Sequence, residues 1–222
     1  MCGRFTLAVS QEKLAKEFDL SGPMPDRVPS YNVAPTQDIA TILGNGEERR
    51  LALMRWGLIP SWADDLEIGA RMINARSETV AEKPSFRAAF KKRRCLIPAD
   101  GFYEWQKTNG AKQPFHIRLQ NGRPFAFAGL WETWQDDGGP EVRSCAILTT
   151  GANDLLAPVH GRMPVILDPE NYDFWLDPDV QEVEPLTGLL EPYPSEAMEA
   201  YPVSRFVNSP SNDDPRCVEP AA

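Results

Sequence analysis

The sequence predicts a single α+β domain built on a twisted, barrel-like antiparallel β-sheet with peripheral helices. Three observations carry this. From Cys95 to Thr150, short apolar segments alternate with turn dipeptides, the pattern of an antiparallel meander. Two segments in the first half of the chain show the i, i+4 apolar spacing of short helices. No repeat, low-complexity tract or Gly/Ser linker divides the 222-residue chain before residue 207, and its 42% apolar content can bury one substantial core.

The elements follow in order. Ser10 is placed to cap a helix whose Leu14 and Phe18 share a face, and Asp19-Leu20-Ser21-Gly22-Pro23 ends it with turn and breaker residues. Asp38 to Leu43 reads as a strand, Gly44-Asn45-Gly46 as a hairpin turn, and Arg50 to Leu58 as the returning strand. Pro84 opens a second helix, with Phe86 and Phe90 on one face, and Lys91-Lys92-Arg93-Arg94 closes it, a cationic end suited to a phosphate. The meander comprises CLIPA, GFYEWQ, PFHIRL, FAFAGLWETW and VRSCAILTT, with Asn109-Gly110, Asn121-Gly122 and Gly138-Gly139 among its turns. Glu170 to Leu176 spaces Tyr172 and Trp175 as a helix does, and Val203 to Val207 is expected to return to the sheet. Residues 1–206 form the expected domain, and 207–222 a disordered C-terminal tail.

Composition excludes several classes. No apolar run reaches the roughly 20 residues that span a bilayer, and the N-terminus lacks the basic start and apolar stretch of a signal peptide, so a cytosolic protein without membrane contact is expected. The cysteines at 2, 95, 145 and 217 form no CxxC pair, and with only two histidines, His116 and His160, no metal site and no cofactor are expected. Cys95 and Cys145 sit in apolar runs and read as core, whereas Cys217 lies in a polar tail. The net charge of −9 argues against a nucleic-acid partner until it is divided along the chain. Residues 1–118 carry 18 Lys and Arg against 14 Asp and Glu, whereas residues 119–222 carry 5 against 18, so the positive charge lies early. The basic run and the scattered Arg4, Arg55, Arg71, Arg76 and Arg87 could build a cationic groove.

Cys2 carries the chemistry. An initiator Met followed by a small residue is commonly removed, which leaves Cys2 with a free α-amine next to its thiol. Such a 1,2-aminothiol condenses with an aldehyde through the amine, whose ordinary pKa is about 7.7–8.0, and the thiol then closes on the imine carbon to give a thiazolidine.

Met-Cys-Gly-Arg-Phe at the start, YNVAPTQ at 31–37, RWGLIPSW at 55–62 and INARSET at 73–79 recur in order with KPSFRAAF from 83, CLIPADGFYEW from 95 and HGRMPVIL from 160. With these strings the chain resembles the SOS-response-associated peptidase (SRAP) family of abasic-site-processing proteins, over residues 1 to about 206. The resemblance implies the SRAP fold and a role in the DNA damage response: mature Cys2 captures the ring-opened aldehyde of an abasic site in single-stranded DNA and shields the lesion as a covalent crosslink. It implies Asn74, Glu104 and His160 as polar partners of Cys2, and Arg4, Arg76 and Arg162 as phosphate contacts. Bottom-up chemistry agrees: Glu104, in an aromatic frame, could shuttle the proton that expels water, His160 could protonate the opening sugar ring, and Asn74 could hydrogen-bond a sugar hydroxyl or orient the aldehyde. Pro35 and Trp62 could wedge against or stack on bases. The chain is expected to act as a monomer and to be nucleoid-associated when bound to DNA.

Two other functions compete. A cysteine hydrolase would use Cys2 as nucleophile and His160 as its base, cleaving peptides or removing Met1. A non-catalytic reader of single-stranded DNA would bind through basic and aromatic residues with Cys2 inert. A lyase side activity accompanies the crosslinking reading, because an imine acidifies the neighbouring C–H and permits loss of the 3′ phosphate.

Overall fold

The computed structural model describes residues 2–26, 29–45, 48–108 and 110–221; Met1, Gly46 of the first expected turn and Asn109 of a later one lie outside them. Thirteen strands form among these residues. A five-strand ring is the centre of the fold, comprising β3 (Asp38–Gly44), β4 (Arg49–Trp56), β6 (Arg94–Ala99), β9 (Phe125–Gln135) and β10 (Glu141–Gly151). Its closure by pairing of β10 with both β4 and β9 makes the expected barrel. One pairing in the ring is parallel: Ser144 lies beside Arg55 and Cys145 beside Trp56. The short β5 (Asn74–Arg76) is also parallel to β10, through Ile147 and Asn74. A meander alone would give antiparallel neighbours, but the long connection from β4 to β10 permits the parallel join.

Beside the barrel lies a five-stranded sheet in the order β13 (Met198–Pro202), β8 (Ala111–Leu119), β7 (Gly101–Thr108), β1 (Phe5–Leu7) and β2 (Ser30–Val33). Its Phe5 ring stands edge-on to Trp56 and Phe127 of the barrel at 5.3 and 5.9 Å, and Phe102 meets Phe127 at 6.0 Å. These contacts fix β1 against the barrel. β6 is buried at every position, which is why RCLIPA reads as a continuous apolar run and not an alternation.

The helices are short. α1 (Gln11–Phe18) is capped by the Ser10 hydroxyl as expected and buries Leu14 and Phe18. α2 (Arg87–Lys92) starts later than Pro84 predicts, because residues 80–86 form turns. Two residues of its basic end are taken up inside the fold, while Lys91 and Lys92 stay exposed. Arg94 is buried, and its guanidinium donates to the carbonyls of Phe90, Lys91, Trp175 and Asp177, while Arg93 pairs with Glu132 at 2.5 Å. The run therefore ties α2 to α3 (Tyr172–Leu176), whose Trp175 is fully buried. The strand expected over 203–207 is shifted to β13, and Arg205–Asn208 is a 3₁₀ turn.

Residues 207–221 are not the disordered tail that their polarity predicts. Val207 and Cys217 are both fully buried, packed with Tyr103 and Val203 into a second small core on the outer face of β7. The buried Asn32 amide donates to the carbonyls of Val207, Ser209 and Asn212 at 3.1, 2.9 and 2.6 Å. Asp213 accepts from the Tyr31 N–H at 2.5 Å and from the Ser30 hydroxyl at 2.8 Å. Two buried apolar side chains and these bonds offset the entropy of ordering the segment.

Candidate active site

The antiparallel register of β1 with β7 builds the site. Phe5 pairs with Phe102, and the Tyr103 N–H donates to the Arg4 carbonyl at 3.0 Å, so the residues before β1 run along β7 beside Glu104. From the other side β5 brings Asn74, whose Nδ2 donates to the Cys2 carbonyl at 2.9 Å. His160 sits in the loop between β10 and β11 (Arg162–Pro164), its N–H bonded to the Leu156 carbonyl at 2.8 Å. An open cleft of about 540 Å³ is lined by Gly3, Arg4, Glu104, Trp105, His160 and Asn208. Three distant stretches of sequence thus converge on the N-terminal segment.

Burial sets the electrostatics. Glu104 is 3% exposed, and loss of hydration raises its pKa. Cys2 is fully buried; burial raises its thiol pKa, and the nearby Glu104 carboxylate raises it further. The thiol contacts the Arg4 carbonyl at 3.9 Å. His160 Nδ1 lies 3.0 Å from the Arg162 main-chain nitrogen and 3.2 Å from the Arg162 carbonyl oxygen, so the Arg162 backbone fixes the ring through Nδ1 and not through Nε2. Asn74 Oδ1 is buried and among the described residues has no hydrogen-bond partner, a spare acceptor beside the Cys2 backbone.

The expected phosphate contacts differ from one another. Arg76 is exposed, shares the face of β5 with Asn74, and among the described residues makes no ion pair. Arg4 lines the cleft but is occupied: it donates to Asn32 Oδ1 at 2.8 Å and to the Val207 and Asn208 carbonyls at 2.9 and 3.4 Å. Arg162 forms a two-pronged pair with Glu78 and also donates to the Thr149 carbonyl at 2.6 Å. Its charge is compensated, and its main chain orients His160.

Pro35 and Trp62 lie outside the cleft lining. Pro35 precedes Thr36, which holds a left-handed φ of 71°, uncommon for a β-branched residue, with its N–H on the Trp56 carbonyl at 2.8 Å. Trp62 is 57% exposed, the most open of the large apolar side chains. Sequence reasoning overlooked Lys107, Lys112, Trp105 and Asn208, which all line the cleft. The two lysines were findable: they flank Asn109-Gly110 symmetrically, so a hairpin there sets them opposite one another.

A model of the family described as SOS response associated peptidase (SRAP) matches residues 1–210. The chain belongs to the SRAP family. It is 48% identical, over 99% of both chains, to the abasic site processing protein YoqW of Bacillus subtilis. It is 36% identical to the abasic site processing protein HMCES of Xenopus tropicalis, covering 86% of this chain and 65% of that protein. A crystal structure of a protein from Bacteroides thetaiotaomicron superposes with a TM-score of 0.89 over the whole of both chains at 30% identity. One from Bordetella bronchiseptica gives 0.80 at 30% identity, over 91% of this chain and all of that one. The SRAP match stops at residue 210, yet the segment beyond it is packed onto the same domain.

Proposed function

We propose that the chain captures abasic sites in single-stranded DNA through the aminothiol of Cys2 after loss of Met1. The observation that carries this reading is that Glu104 and His160 line one cleft with Gly3 and Arg4, while Asn74 holds the Cys2 carbonyl beside it. The Cys2 α-amine adds to the C1 aldehyde of the opened sugar to give a carbinolamine. A protonated Glu104, favoured by burial, donates to the departing hydroxyl, which leaves as water and gives the imine. The thiol then bonds to the imine carbon, its proton passes to the nitrogen, and the five-membered thiazolidine closes. The His160 imidazole serves the ring oxygen as the sugar opens, and the Asn74 Oδ1 accepts from a sugar hydroxyl or from the amine. Elimination of the 3′ phosphate from the imine is the competing branch, and closure by the thiol suppresses it.

A cysteine hydrolase needs a thiolate, which an electropositive site stabilises. Here burial holds the Cys2 thiol protonated, which disfavours peptide cleavage by a resting thiolate.

Intact mass of the purified protein, before and after incubation with abasic single-stranded DNA, tests the reading. Loss of Met1 followed by a heat-stable adduct lighter by one water than protein plus DNA is expected. Cys2→Ala retains an imine trappable by borohydride but gives no heat-stable adduct without reductant. A heat-stable adduct with Cys2→Ala overturns the role of the thiol.

A further inference from the structure

Lys107 on β7 stands directly opposite Lys112 on β8. Like charges facing each other across an antiparallel pair repel, and a neutral or opposite-charge pair would be more stable. Elsewhere this sheet pairs its charges: Arg118 of β8 faces Glu199 of β13 and bonds it at 2.6 Å. The chain has 32 acidic residues against 23 basic ones, yet among the described residues neither lysine forms an ion pair or a side-chain hydrogen bond. Both are exposed and both line the cleft.

Their placement follows from the pleat. Tyr103, Trp105 and Lys107 share one face of β7, opposite His116, Pro114 and Lys112 of β8. The C-terminal segment covers this face as far as Asn208, whose Oδ1 accepts from the Trp105 indole N–H at 2.8 Å. Past that point the lysines stand clear at the hairpin end, and Arg4 lies 6.0 Å from the Trp105 ring on their inner side. Three cations and an aromatic face therefore flank the cleft away from Glu104.

We infer that Lys107 and Lys112 form a seat for the sugar–phosphate backbone of the DNA strand, one flank away from the reacting sugar. This rests on the reading of the cleft given above. Two compact ammonium charges on flexible stems suit a phosphodiester met without regard to sequence, whereas a single fixed carboxylate would call for the fork of an arginine. Successive phosphates, one at each lysine, relieve the repulsion that the empty pair carries.

The test uses the full chain carrying Lys107→Gln and Lys112→Gln, with fluorescence anisotropy on an intact single-stranded oligonucleotide over a range of salt. The log–log salt slope is expected to flatten by about 1.4, two phosphates at about 0.7 each. Arginine at both positions should restore the slope. In oligonucleotides trimmed from either end, the difference between wild type and variant should vanish when one flank is removed and persist when the other is. An unchanged slope, or a loss that arginine fails to restore, overturns the seat. Adduct formation by wild type on abasic DNA is read in parallel. If wild type itself forms no adduct, the capture reading fails while the slope still decides the seat.

Discussion

Removing the Asn32 side chain should release the C-terminal segment. Its amide reaches three carbonyls of that segment with only two N–H groups, and its Oδ1 accepts from the Arg4 guanidinium at 2.8 Å. Asn32→Ala therefore forfeits two neutral bonds at about 1 kcal/mol each and one charge-assisted bond at about 2 kcal/mol, roughly 4 kcal/mol in all. In a domain of this size, 1 kcal/mol moves the melting temperature by about 2–4 °C, so a fall near 10 °C is expected if the segment and barrel melt together. Should the segment detach first, the fall stops at its own docking energy, and the release shows instead as proteolysis. Carboxypeptidase digestion read by mass spectrometry should halt near Cys217 in wild type and trim back toward Asn208 in the variant. A variant as resistant as wild type, with a melting temperature within about 2 °C of it, would refute the accounting.

Three further outcomes are expected. Glu104→Gln should slow both formation and opening of the thiazolidine while leaving its equilibrium yield unchanged, whereas His160→Ala should slow capture of an ordinary abasic site more than capture of an acyclic aldehyde analogue; rapid-quench assays on both substrates separate the two roles. Glu78→Gln frees Arg162 from its carboxylate, so single-strand binding should tighten and its log–log salt slope should steepen by about 0.7, read by anisotropy. Burial and then the charge of Arg118 depress His116 from its ordinary 6.5 to about 3. The unfolded chain binds a proton as pH falls through about 6.5 and the folded chain does not until about 3, so stability is full above this window and declines within it; His116→Gln should flatten that decline in urea midpoints measured from about pH 7 to pH 4.

What the sequence disclosed depended on how local the signal was. The Ser10 cap, the Leu14–Phe18 face and the turn at Asn121-Gly122 are written in neighbouring residues, and the structure reproduces them. The parallel join of β4 to β10 is non-local and leaves no periodic trace in the strings it connects. The C-terminal segment misled because its composition is polar: its anchors are single residues, Val207 and Cys217, whose partners Asn32 and Tyr103 lie far upstream. Arg94 misled in the same way, since a run of four basic residues looks solvated until one of them turns inward to cap carbonyls. At the site, Cys2, Asn74, Glu104 and His160 were read from resemblance: Glu104 and His160 line the cleft, while Asn74 bonds the carbonyl of the buried Cys2 behind it. Arg162 shows the limit of that method: its position was legible, but its partner Glu78 was not.

The parallel seam of the barrel also governs when the chain can become reactive. Joining Trp56 to Cys145 closes a loop of roughly 90 residues, at an entropic cost of about 4 kcal/mol that no local contact repays. Strand β10 is the partner of β5 as well, so Asn74 is not fixed beside Cys2 until that seam has formed. During synthesis the N-terminal cysteine emerges first, yet its carboxylic and imidazole neighbours arrive with residues 104 and 160. Under the capture chemistry proposed above, a nascent chain that has lost Met1 is thus a bare aminothiol without a proton shuttle, slow toward the aldehydes of the surrounding metabolite pool. Its selectivity begins with the last third of the polypeptide, and topology keeps it latent until the domain is whole.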